Sequence, residues 1–398
     1  MSEAGGARVV VLGGGVAGVT VATALRERLA PQDTITVVER SRSHVLGLSL
    51  LWVLRGWRTG ERVVAHPWTE PPAGVDVLAA TVDRIDLDGR SVVTTQGTVP
   101  YDALVIALGA GSDIPTVPGL DAALRAGAAA EFYSPAGAQA AHRRLRAVRS
   151  GHVVIAVATL PYRCPAAPWE AALLTDDLLR ENGVRQDVRL TVVTPEPHPM
   201  PVAGAEVGAA VTSMLHERDI ATRFSAGLVA VAGATMHLQD GSVLDTALTL
   251  VVPPHQPAAP IHALTGGEWL GVHPRTMTLR DGPAGVWALG DITATPLPDG
   301  RPLPKAAVFA RAQARTVADG VAAFLGRQEG VRVFDGIGHC YLEVGGGLAA
   351  RGAGDFYADG GPQVTLEPPS AELHAAKVAE ESAWLSGADR SPDAEAGT

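Results

Sequence analysis

The chain has little cysteine, few aromatic residues, no excess of positive charge and no long apolar run. Two cysteines in 398 residues, Cys164 and Cys340, are too few for a disulfide-stapled scaffold. They leave two roles, buried filler or redox chemistry. Aromatics at 5% mean a core that is mostly aliphatic. A formal net charge of −10 argues against nucleic acid as a partner, because nothing would neutralise its phosphates. The same charge disfavours simple electrostatic adhesion to an anionic membrane. Arg143, Arg144 and Arg146 are interleaved with Leu and Ala and read as a charged helix face. The longest apolar run after the first strand, 46–54, is far short of the roughly 20 residues that span a bilayer. No basic leader precedes the apolar residues 9–12, so no signal peptide is expected. A cytoplasmic location follows as the expectation, with at most peripheral membrane contact. No cluster of His, Cys, Asp and Glu has metal-ligand spacing, and no nucleophile-elbow serine or phosphate-binding Gly-Lys-Ser/Thr loop occurs.

Glycine and alternating apolar segments are what the chain has. At 9–18 it reads Val-Val-Val-Leu-Gly-Gly-Gly-Val-Ala-Gly. Gly13 allows a tight turn, Gly15 lets the backbone approach a pyrophosphate, and Gly18 lets the helix pack on the strand. Val16 and Ala17 open that helix, whose N-terminus faces the phosphates. Glu39 stands at the end of the next strand, where a ribose hydroxyl ligand belongs, and Arg40 follows it. A second apolar strand, 101–107, ends in Leu-Gly-Ala-Gly-Ser with Gly109 at its turn. Residues 285–291 read Gly-Val-Trp-Ala-Leu-Gly-Asp. Gly290 and Asp291 at that strand end suit the ribityl and pyrophosphate portion of FAD. Lys305 and Ala306 are expected to open a long helix, 303–324, whose positive end faces the flavin pyrimidine ring. Segments over 75–98 suggest a β-meander.

A second strand-turn-helix unit begins near residue 152. Its turn, Thr-Leu-Pro-Tyr-Arg-Cys-Pro, has no glycine and cannot bring backbone amides close to a pyrophosphate. One nucleotide is expected, and Cys164 stands where a second would sit, at a strand C-terminus and just before a helix starting near Trp169. A helix N-terminus there would stabilise a thiolate. Glu170 falls in the first turn of that helix, either as a cap or as a base near the thiols. His198 and His339 are weaker proton-transfer candidates. Cys340 lies in Gly-Ile-Gly-His-Cys-Tyr, within a Gly- and Pro-rich region (326–370) expected to hold only short β-like pieces. A helix is expected over 372–385, and disorder over the last dozen polar residues.

Taken together, 9–18, 101–109, 161–170, 285–291, 303–313 and 338–341 resemble the sulfide:quinone oxidoreductase and flavocytochrome c sulfide dehydrogenase flavoproteins. The resemblance implies an α/β fold with two Rossmann-like dinucleotide-binding domains of the glutathione-reductase type plus a C-terminal region. The expected divisions are an FAD-binding domain from 1–112 and 254–325, a second Rossmann-like domain at 113–253 without the NAD glycine loop, and a C-terminal region at 326–398 carrying Cys340. It implies that Cys164 and Cys340 form a disulfide or polysulfide bridge beside the flavin. Sulfide, or another small persulfide or thiol, would attack it, and electrons would pass through FAD to a quinone or other acceptor. Arg42 stands where a covalently attached flavin would need a cysteine, so FAD is expected to be noncovalent. Trp384 and Leu385 occupy a position used for membrane contact, but Glu380 and Glu381 precede them. A homodimer is compatible with all of this. Two alternatives stay open: an NAD(P)H-dependent flavin quinone or disulfide reductase, and a persulfide-carrying flavoprotein that serves a partner.

Overall fold

A computed structural model describes residues 6–387; the polar tail beyond lies outside the described residues. The apolar runs read as buried strands assemble into a five-stranded parallel sheet. Its spatial order is Val286–Ala288, Ala103–Ile106, Arg8–Leu12, Thr34–Val38 and Asp76–Leu78. Val9 pairs with Ile35 on one side and Ala103 on the other. Residues 9–12 are all buried because both sheet faces are covered, which explains a continuous apolar run in place of alternation. The helices Val16–Arg28 and Ala307–Phe324 pack on each other, bringing the start of the chain against a segment far downstream. A second parallel sheet follows the same logic, in the order Ala129–Glu131, Leu248–Val252, Gly151–Val157, Val188–Val193 and Ile220–Arg223. Each sheet has a three-stranded antiparallel companion in its own stretch of chain, 82–100 and 228–245.

Three expectations about elements need correction. Residues 76–78 join the edge of the first parallel sheet, pairing with 36–38, so the meander begins only at Val82. A short half-buried run carries no periodicity that separates the two outcomes. The long helix begins at Ala307, with Ala306 as its N-cap and Lys305 outside it. Pro304 disfavours helical backbone at Leu303, and Leu303 N–H instead bonds the Thr295 carbonyl. The largest departure lies in 326–370. Three long antiparallel strands, Ile337–Gly345, Leu348–Asp355 and Gln363–Ser370, form a sheet and lead into the helix Ala371–Ser386. Two glycines that suggested loops are packing devices. A Cβ on Gly338 would sit 2.4 Å from the Phe309 ring, and one on Gly354 would sit 2.0 Å from the Gln363 carbonyl oxygen. Cys340 therefore rides on a strand.

Asp33, with a fully buried side chain, ties the two ends of the first unit together. Its carboxylate accepts hydrogen bonds from Ala7 N–H, Ala30 N–H and both Nε and Nη2 of Arg327, the last two at 2.8 and 2.7 Å. The Arg327 guanidinium and the two amides outweigh burial and lower its pKa from 3.8 to about 2. A depressed carboxyl stabilises the fold above its unfolded pKa, and that stabilisation is lost as pH falls through the folded value. Asp33→Asn should therefore cost about 2 kcal/mol in urea unfolding at pH 7, as expected for charge-assisted hydrogen bonds. The gap from wild type should narrow steadily as pH falls from 4 through 2; a gap at pH 2 as large as at pH 7 would contradict this origin.

Candidate active site

A cavity of about 740 Å³ opens at the C-terminal ends of the first sheet's strands and extends to the second sheet and the C-terminal helix. Gly13, Gly15, Val16, Ala17, Glu39, Arg40, Gly109, Gly290, Asp291, Lys305, Ala306, Cys164, Glu170 and Cys340 all line it. Gly18 does not. It lies beneath the loop, where a Cβ would stand 1.9 Å from the Gly13 carbonyl oxygen, so its role is to let helix meet strand. Gly13 has φ +97°, a conformation that needs glycine. At Gly15 a Cβ would meet nothing nearer than the His44 ring at 3.5 Å, so the protein leaves that space free. Glu39 accepts from Gly14 N–H at 2.6 Å and Ser41 N–H at 2.9 Å, which fixes the carboxylate while each oxygen keeps a further lone pair. Lys305 is already spoken for. Its ammonium donates to the Asp291 and Thr293 carbonyls and lies 3.5 Å from the Trp269 ring centroid. Burial brings its pKa down to about 8.

Several wall atoms have no protein partner. His44 Nε2 and Arg163 Nε are buried without one. The Asp291 carboxyl is pushed up by burial, against the pull of Arg163 and Lys305. His44, also in the wall, is held neutral, lowered to about 4 by burial and then by Arg163. Orphaned polar atoms beside a glycine cradle and a helix N-terminus fit a dinucleotide with a polar ring system. Among the described residues no group of three or more His, Cys, Asp and Glu could hold a metal.

The Cys164 turn is fixed from four directions. Cys164 N–H donates to the Lys305 carbonyl at 2.8 Å, and Arg163 and Lys305 form a parallel bridge. Tyr133 Oη donates to the Arg163 carbonyl, and Tyr162 Oη donates to Glu196. Glu196 follows the second strand of its unit, and the buried Tyr162 hydroxyl occupies it. Cys164 itself has φ +59°, a strained conformation for a residue with a Cβ.

Cys164 and Cys340 are free thiols that share the cavity wall. The expected thiolate stabilisation at Cys164 is overturned as the dominant effect. Burial raises that thiol to about 11, with Glu170 adding to the rise, while Lys377 and the Ala166 and Ala167 amides oppose it. Cys340 is pushed higher still by burial and then by Cys164, Glu380 and Glu170. Glu170 is not a helix cap, since the N-cap is Ala166 and makes no side-chain bond. Its carboxylate accepts from Lys377 Nζ at 2.6 Å, both side chains being buried. Burial lifts Glu170 to about 7 against the pull of Lys377. His339 lines the cavity 3.6 Å from Glu380, whereas His198 is held by the Pro199 carbonyl and lies off the cavity wall.

Lys377 and Tyr133 were invisible to motif reading, since each is a lone polar residue in an ordinary segment. The only available signal for Lys377 was a lysine on the apolar side of the last helix. Trp384, also on that helix, is buried and sits edge-on to His44 with ring centroids 6.0 Å apart. No helix among the described residues is long and apolar enough to cross a membrane.

The parallel sheets, glycine cradle and thiol-lined cavity define an oxidoreductase on a dinucleotide-binding scaffold. Residues 7–314 match the pyridine nucleotide-disulphide oxidoreductase family, and the chain belongs to it, which makes it a flavin-dependent oxidoreductase. The mitochondrial sulfide:quinone oxidoreductase of Mus musculus is 23% identical over 359 residues, 85% of this chain and 75% of that one. Its counterpart in Dictyostelium discoideum is 26% identical over 259 residues, 63% of this chain and 56% of that one. The crystal structure of the sulfide:quinone oxidoreductase from Aquifex aeolicus superposes with a TM-score of 0.84 at 20% identity, covering 98% of this chain and 93% of that one. The resemblance read from the sequence segments is borne out.

The two cradle glycines should separate under substitution. Gly15→Ala should fold with wild-type melting of the flavin-free protein but bind flavin roughly tenfold or more weakly, because its methyl enters ligand space. Gly18→Ala should lose stability even without flavin, because its methyl meets backbone. Equal thermal stability of the two flavin-free variants would contradict this assignment.

Proposed function

We propose that the protein oxidises sulfide, or a small persulfide or thiol, through a Cys164–Cys340 redox pair beside noncovalent FAD. The observation that carries this is that two cysteines far apart in sequence share one cavity wall with a buried carboxyl and a buried ammonium. Gly13, Gly15, Val16, Ala17, Glu39, Arg40, Gly109, Gly290, Asp291 and Ala306 would hold FAD, with Gly18 and Lys305 shaping the cradle. Both cysteines lie beyond residue 160, so none is available near Arg42 for covalent attachment. When bound, flavin supplies a two-electron acceptor next to the thiols, and a quinone or another oxidant takes the electrons onward.

The residues themselves suggest an order of events. Hydrosulfide attacks one sulfur of the Cys164–Cys340 disulfide; a new S–S bond forms as the old one breaks, and the other cysteine leaves as thiolate. Cys164 is the better leaving group, because the Ala166 and Ala167 amides face its sulfur, while Lys377 acts on both sulfurs. The persulfide therefore forms on Cys340. The proton of hydrosulfide stays on the persulfide and must leave when the pair gives up its two electrons, so the site needs a base, and Glu170 with its pKa near neutrality serves. Nicotinamide as reductant is disfavoured, since the second unit's turn lacks glycine and Tyr162 occupies Glu196.

Anaerobic addition of sulfide should bleach the oxidised flavin band, NADH should not, and Cys164→Ser or Cys340→Ser should each stop the bleaching. Bleaching by NADH with both Ser variants like wild type would establish the nicotinamide-dependent reading instead. Glu170 is raised from 4.5 to about 7, so its basic form is lost as pH falls through 7. Glu170→Gln should slow reduction by roughly 10²-fold above pH 7. The ratio of wild-type to variant rate should fall as pH is lowered below 7. Sulfide's own ionisation is common to both proteins, so a ratio independent of pH would exclude Glu170 as the base.

A further inference from the structure

Behind the thiols, a file of ionisable side chains crosses the core to the surface. Glu170 Oε1 lies 2.6 Å from Lys377 Nζ, and Lys377 Nζ lies 3.8 Å from Glu343 Oε1. Both Glu343 oxygens lie 3.0 Å from His374 Nδ1. Side-chain exposure is 3%, 1% and 0% for Glu170, Lys377 and Glu343, then 27% for His374. The file thus has one end at the thiol cavity and the other in solvent. His374 and Lys377 are three residues apart on the helix Ala371–Ser386 and so share a face. Glu343 lies on the strand that carries Cys340.

Burying two carboxylates and an ammonium is costly, and apolar residues of similar size would stabilise the fold at least as well. The surroundings isolate the file. The Trp52 ring lies 4.9 Å from Lys377 Nζ, and His374 packs edge-on to Trp52 and Trp57. Nearby charges are matched elsewhere. Arg58, also over the Trp52 ring, pairs with Glu381; Arg55, over Trp57, pairs with Asp177 and Glu181; and His339 pairs with Glu380 on the cavity side. Within the file, the groups facing Glu343 are Lys377, His374 and, through its own backbone N–H, Glu170.

We propose that Lys377, Glu343 and His374 are the proton exit of the thiol site, carrying to solvent the proton that Glu170 takes up. The proposal rests on the reading of Glu170 as base to the Cys164–Cys340 pair. Each transfer moves one proton and no electrons. Lys377 gives a proton to Glu343 and takes one from Glu170, which restores the Glu170 carboxylate. Glu343 passes its proton to His374, and the imidazole releases one to water. The 3.8 Å step is the one link longer than a hydrogen bond, and a small swing of the ammonium closes it.

The test is anaerobic stopped-flow reduction of the flavin-loaded enzyme by sodium sulfide, in H2O and D2O. His374→Ala, at the partly exposed end, should bleach to the wild-type amplitude but slow by roughly 10²-fold, the low end for loss of a positioned proton-transfer group. Its solvent isotope effect should rise, and added imidazole should restore the rate. Glu343→Gln should slow likewise without imidazole rescue. Wild-type rate and isotope effect in both variants, with Cys164→Ser inactive, would overturn the exit while leaving the thiol reading intact. If Cys164→Ser bleaches normally, the thiol reading fails and the exit with it. A slow His374→Ala that imidazole does not rescue, with an unchanged isotope effect, would assign His374 to packing and overturn the proposal.

Discussion

The hydrogen bond from Cys164 N–H to the Lys305 carbonyl fastens the two halves of the site together. Cys164 ends the turn after a strand of the second sheet, and Lys305 directly precedes the helix that packs under the glycine loop of the first. One backbone contact between the two segments therefore sets how far a thiol stands from the nucleotide cradle. The left-handed backbone at Cys164 is held by this bond and by the hydroxyls of Tyr133 and Tyr162 around it. Strain of this kind persists only where neighbours over-determine it.

Electrostatics in the site run opposite to what local sequence suggests. A cysteine just before a helix N-terminus is ordinarily expected to be acidic. In this fold desolvation wins, and both thiols stay protonated near neutral pH. A disulfide is uncharged and suffers no such penalty, so burial disfavours the thiolate states relative to the bridge. The counter-charge that opposes the rise at Cys164 comes from Lys377, a residue far along the chain.

The sequence showed what local geometry encodes. Gly13, Gly15 and Gly18 dictate a turn, Glu39 sits at a strand end of fixed length, and short apolar runs at 9–12 and 103–106 bounded by glycine turns read as buried parallel strands. Cys164 could be placed because a strand end in an open α/β sheet is a ligand-facing position. The misreadings have a common physical source. Between 326 and 370, glycines were read as chain breakers when Gly338 and Gly354 exist to admit a phenyl ring and a carbonyl from elsewhere. The cap reading of Glu170 set it against its own helix, whereas its partner arrives on the last helix. Contacts across long sequence separations leave no periodicity to detect: Lys377 reaches Glu170 and Glu343 from the last helix, and His374 lies behind Glu343.

The helix Ala371–Ser386 has one property with practical weight. Trp384 anchors it beside His44, Glu381 binds Arg58, and Lys377 enters the core beside Glu170. Any event that lifts this helix, whether a chain cut in the loop before Gln363 or a surface that draws Trp384 outward, withdraws the buried ammonium in the same movement. Glu170 would then face the thiols with no opposing charge, while both parallel sheets and the glycine cradle remained intact. On the proposed reading of the thiols and Glu170, a clipped preparation would stay yellow while being chemically silent, and colour alone would be a poor measure of intact enzyme.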